Sequence, residues 1–112
     1  MLAIQMRLTF EFVSEQEPQR IFDLVTEALF DMEEASDSLH DAGVSGSLDD
    51  CTISLAIVGT GDTLEQASAN ASSAIRAAIH HSGGATPGWE ETVDGARSQA
   101  VFSFLEQTAI PA

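Results

Sequence analysis

Residues 3–13, AIQMRLTFEFV, alternate without a break: Ile4, Met6, Leu8, Phe10 and Phe12 fall on even positions, with Gln5, Arg7, Thr9 and Glu11 between them. Successive side chains of a strand point to opposite faces, so a period of two specifies a strand with one apolar and one wet face. A slip of one residue would turn every large apolar side chain into water, so the register is strongly determined. The rest of the chain must supply a layer that covers this face.

Pro18 is suited to a first helical turn, because its φ is preset and its missing N–H has no partner there; acids lie just before it. Ile21, Leu24, Val25, Ala28, Leu29 and Met32 recur at helical spacing and predict a helix from Pro18 to about Glu34. Ala42, Val44, Gly46 and Leu48 then alternate, Asp49-Asp50 read as a turn, and Cys51, Ile53, Leu55 and Ile57 alternate again. That is a hairpin, with Gly43 and Gly46 pointing to a bulge in its first strand.

Gly59-Thr60-Gly61 breaks the alternation. Asp62 or Thr63 is placed to cap a second helix, with Glu65 or Gln66 completing a capping box. Leu64, Ala67, Ala71, Ala74, Ile75, Ala78 and Ile79 form its apolar face, mostly alanine, which lets the helix lie close to its neighbour. Gly83 and Gly84 end it. Residues 85–97 read as a loop. The segment SQAVFSFLE, residues 98–106, alternates and predicts a last strand before a short tail; a helix gathering Ala100, Val101, Phe104 and Leu105 is the competing reading.

The element order is β-α-β-β-α-β over a single domain, residues 1–112. Two βαβ-like halves predict the α+β, ferredoxin-like arrangement, an antiparallel sheet with two helices on one face. The other face would carry Gln5, Arg7, Thr9, Glu11, Thr52, Ser54 and Ala56, polar enough to stay wet or to form a partly polar homodimer interface.

Eighteen acids against four basic residues give a formal charge of −14. That balance excludes binding nucleic acid or an anionic membrane through a basic patch, and it suits a basic protein partner. The start MLAIQMRLTF lacks the basic and apolar regions of a signal peptide, and no run reaches the length of a membrane span. With one cysteine, Cys51, a cytoplasmic protein is the expectation.

The stretch AIHHSGGATPGW, residues 78–89, has the look of a site. A phosphate loop needs its glycines before a helix, where free N–H groups face the anion; here they follow one. His80 and His81 are neighbours, about 100° apart around a helix, and ill placed to share a metal ion. They suit the negative end of the helix, so no metal or cofactor is expected. Trp89 is read as packing over the helix end, or as an anchor for a partner. A nucleophile built from Ser38, His40 and Asp41, or from Cys51 with a histidine, lacks a surrounding elbow motif, and SLHD reads better as a turn. An enzyme is not expected.

The acids carry more. Asp23, Glu27, Asp31 and Glu34 form one stripe along the first helix, roughly 16 Å long. Like charges at this spacing cost a helix a few tenths of a kcal/mol per pair. Arg20 alone is placed to relieve them, and Asp37, Asp41, Asp49 and Asp50 extend the region if the hairpin turn lies nearby. A solvated face is the plain reading. The sharper one is a docking surface for a basic partner, with imitation of DNA as a special case.

SLHDAGVSGSLDDCTISLAIVG and HSGGATPGWE together resemble small acidic proteins of actinobacteria and their phages, over most of residues 1–89. The resemblance implies the fold and such a setting, and carries over no active residues. VSEQEPQRIFDLVTEAL is similar to the first strand-to-helix loop of ACT regulatory domains, which implies a small-molecule-sensing alternative. Pro18-Gln19 stands where those domains carry Pro-Gly, which removes the easy backbone approach of a ligand.

Overall fold

The computed structural model describes residues 1–14, 16–85 and 100–111. The chain runs β1 (Leu2–Ser14), α1 (Pro18–Ala35), β2 (Leu39–Ser47), β3 (Thr52–Gly61), α2 (Leu64–His81), β4 (Gly84–Ala85) and β5 (Ala100–Pro111). The sheet order is β2-β3-β1-β5-β4, and every pairing among β1, β2, β3 and β5 is antiparallel. The two-residue β4 adds a short parallel edge to β5. With two helices packed on one face, this is the ferredoxin-like α+β arrangement.

The alternation in β1 does what its period demands. Ile4, Met6, Leu8, Phe10 and Phe12 are all buried. As the central strand, β1 pairs β3 from Leu2↔Gly61 to Glu11↔Thr52 and β5 on its other side. Phe102 of β5 stacks on Phe12 with ring centroids 5.5 Å apart and meets Phe10 edge-on at 6.1 Å. Ile53, Leu55 and Ile57 of β3 complete the floor, against Ile21, Val25, Ala28 and Leu29 of α1 and the alanine face of α2. The segment beginning at Ala100 is thus a strand, and it runs on to Pro111, past the expected end at 106.

Pro18 opens α1 as anticipated, although Glu17 at the N-cap makes no side-chain cap bond. In α2 the Thr63 hydroxyl accepts from the Gln66 N–H at 3.0 Å. The Gln66 side chain returns to the N–H of Asp62, one residue earlier than a reciprocal box would have it. Leu64, assigned to the apolar face, is 45% exposed at the first position of α2. At the other end Ser82 caps the helix and Gly83, at φ 93°, turns the chain in a conformation natural only to glycine.

Two local expectations are overturned. Gly59-Thr60-Gly61 does not leave the strand but continues β3, paired with Ile4, Ala3 and Leu2. Gly59 lies under α2, where any side chain would strike the Ala67 carbonyl and the Ala71 backbone. The SLHD segment is likewise no turn: Leu39, His40 and Asp41 belong to β2, and the irregularity falls between His40 and Gly43, with Asp41 at φ 53°. The bulge signalled by the glycines is there, immediately before Gly43. Among the described residues no helix is long and apolar enough to cross a membrane.

The acidic face of the first helix

A wheel of α1 separates two arcs. Ile21, Val25, Ala28 and Leu29 face the sheet and α2. Asp23, Glu27, Asp31 and Glu34 all lie exposed on the opposite side. At 100° per residue the four acids span about 80°, and Phe30 falls about 20° beyond the Asp23 edge of that arc, still away from the apolar stripe. Phe30 is 41% exposed. It follows Glu27 by three residues and precedes Glu34 by four, so a large aromatic borders the row of four carboxylates along one side. Sequence reasoning noted the acids and missed Phe30, although the wheel alone places it off the apolar stripe.

The neighbours of the stripe differ from expectation in one respect. Arg20 does not relieve Asp23; its Nε donates to the Gln16 side-chain oxygen at 2.6 Å. Asp23 instead accepts from the Gln19 amide at 2.7 Å, a neutral donor that leaves the carboxylate charge in place. Glu33, off the stripe, reaches β2 and accepts from the Ala42 N–H. The hairpin turn comes round to the N-terminal end of α1, where Asp50 and Cys51 line a groove with Gln16 and Pro18. Asp37 and Asp41 lie past its C-terminal end, both exposed. Acids therefore bracket the stripe at both ends.

His40 and Cys51 do not converge. His40 pairs with Val58, whereas Cys51 precedes Thr52 at the far end of the same strand. Seven residues of strand, about 23 Å, separate those ends. Cys51 is half-buried, with its Sγ 3.7 Å from the Leu48 carbonyl. Among the described residues no three His, Cys, Asp or Glu side chains gather to hold a metal ion. His80 and His81 occupy the last turn of α2. Burial, with the nearby Arg76 adding to it, lowers the pKa of His80, so this imidazole favours its neutral form rather than a charged one answering the helix dipole. Trp89 lies outside the described residues.

The uncovered sheet face carries Gln5, Arg7, Thr9 and Glu11, as its alternation dictated, and β5 adds Glu106, Thr108 and Ile110. Thr9 and Ser54, opposite each other in register, share a hydroxyl–hydroxyl bond of 2.7 Å. Compared with family models, curated proteins and solved structures, the chain finds no match in any of the three.

Proposed function

We propose that the chain is a non-enzymatic interaction module that presents the acidic face of α1 to a basic protein partner. The observation that carries this reading is Phe30, a large aromatic left 41% exposed along the border of four exposed carboxylates. A purely solvated face gains nothing from an aromatic there. A docking face does: the ring enters a pocket on the partner, while the surrounding acids steer and orient a cationic rim. The separation of His40 from Cys51 supports an interaction role over catalysis.

Imitation of DNA is the less favoured form of this reading. The carboxylates step about 6 Å along the helix axis, against 3.4 Å per charge on a single DNA strand, and Phe30 has no counterpart in a phosphate backbone. A small-molecule-sensing role like that of ACT domains would use the loop before Pro18. The groove there is lined by Glu11, Asp50 and Cys51, a setting that repels the carboxylate of an amino acid.

The experiment is affinity capture from host lysate, at physiological salt, with three baits. They are the native chain, the chain with Asp23→Asn, Glu27→Gln, Asp31→Asn and Glu34→Gln, and the chain with Phe30→Ala. One basic protein should be held by the first bait, lost by the second and weakened by the third. Equal recovery by all three would return the stripe to a solvated face.

A further inference from the structure

Strand β5 pairs with β1 along its whole length, from Ser14↔Ala100 to Ile4↔Pro111. On its outer side the described partner is β4 alone, at Ala100 and Val101. From Phe102 to Pro111 the outer edge has no partner among the described residues. The helices pack on β1, β2 and β3, and α2 also reaches β4; beyond the buried Phe102, β5 is exposed on both faces: Phe104 is 55% exposed, Leu105 52% and Ile110 49%. An edge of this length, unpaired among the described residues and rich in aromatic and branched residues, is a template for another strand.

Charge indicates what that strand is. The protein carries −14, yet between residues 100 and 111 the one ionisable side chain is Glu106. A basic partner finds little to pair with here. A second copy, repelled over most of the surface, is repelled least at this edge. Two identical strands laid antiparallel across a two-fold axis also complete each other's hydrogen bonds without any further partner.

We propose that two copies of the chain dimerise through the outer edge of β5, antiparallel, extending one continuous sheet across both. The register shift opposite Thr9 and Phe10 leaves Leu105 as the bulged residue, so pairing uses the regular stretch Glu106–Ile110. A two-fold axis at Thr108 sets Glu106 opposite the partner's Ile110 and keeps the two acids of the edge from facing each other, where they would repel. The uncovered sheet face stays wet in this arrangement. Because α1 packs beside β2, at the opposite edge of the sheet, both acidic faces remain open and the dimer offers them bivalently.

Sedimentation of the full chain over a range of concentrations tests this. The native chain should be dimeric, and Thr108→Glu with Ile110→Glu, which sets two carboxylates face to face at the two-fold axis, monomeric with an unchanged circular dichroism spectrum. Neutralising the α1 stripe should leave the dimer intact, which keeps this result separate from the docking reading. In a Cys51→Ser background, Thr108→Cys should give a disulfide-linked dimer under mild oxidation. Ser45→Cys, on the β2 edge, should not. The cross-linking comparison decides even where the double variant fails to fold. A native chain that stays monomeric, a dimer that survives the double variant, or equal cross-linking at both positions would overturn the proposal.

Discussion

Gly59 sits so close beneath Ala71 that a methyl group on the glycine would lie 2.9 Å from the alanine Cβ and closer still to the helix backbone. This contact sets how deeply α2 beds into the sheet, and it explains why the helix face is alanine: Ala67, Ala71, Ala74 and Ala78 are all buried there. Gly59→Ala should therefore force helix and strand apart and cost about 1–3 kcal/mol, a fall of several degrees in Tm by circular dichroism. Gly43→Ala is the control. Nothing lies within 4 Å of a Cβ at Gly43, so its melting point should hold or rise slightly.

The same pair shows what was legible beforehand. An alanine-rich helical face announces a close approach, but it does not name the partner. Gly59 looked like an interruption because glycine is a poor strand former, and only the packing of α2 reveals that a strand glycine was required. By contrast, the alternation in β1 left one solution, since five large apolar residues demanded a single buried face. His40 and Asp41 favour a turn by sequence, because their side chains bond readily to local backbone; the pairing of His40 with Val58 outweighs that preference. On α1 the acids were legible as a stripe. The environment of Arg20 was not, since Gln16 and Asp23 are both within its reach along the chain and only geometry chooses between them.

The Thr63 cap should be worth about 1 kcal/mol, as for other hydroxyl caps. Its Oγ1 accepts from the Gln66 N–H, which has no intrahelical partner. Thr63→Ala should lower the urea midpoint without changing the m-value, while Thr63→Ser should sit near the native chain. A large change in m for Thr63→Ala would mean that α2 unravels before the sheet, and that the cap holds a separate unit rather than trimming one.

His80 should give the protein a pH dependence on the acid side. Its pKa is below the ordinary 6.5 in the folded chain, chiefly through burial and secondarily through Arg76. The unfolded chain therefore binds the proton more readily, and stability contributed by the neutral imidazole is lost as pH falls through 6.5 toward the folded pKa. Above that window the effect vanishes. Urea midpoints at pH 7.5 and pH 5 should show a larger relative loss for the native chain than for His80→Gln. Parallel pH dependences in the two proteins would place the acid sensitivity elsewhere.

The acidic stripe should prove costly to the isolated chain. Asp23 with Glu27 and Glu27 with Asp31 are like charges at i,i+4, and Asp31 with Glu34 at i,i+3, all exposed. Each such pair destabilises a helix by a few tenths of a kcal/mol. Replacing the four by Asn and Gln should therefore raise Tm at low ionic strength. The gain should shrink as salt is added, because a Debye length of about 3 Å at 1 M screens carboxylates that are about 6 Å apart. A stabilisation that persists in high salt would instead point to better helix packing or capping in the variant. The salt-sensitive result has a functional side: it would show these carboxylates kept against the stability of α1, beside a Phe30 that is also kept exposed, and a face that is costly in both ways is one whose benefit lies in what it contacts.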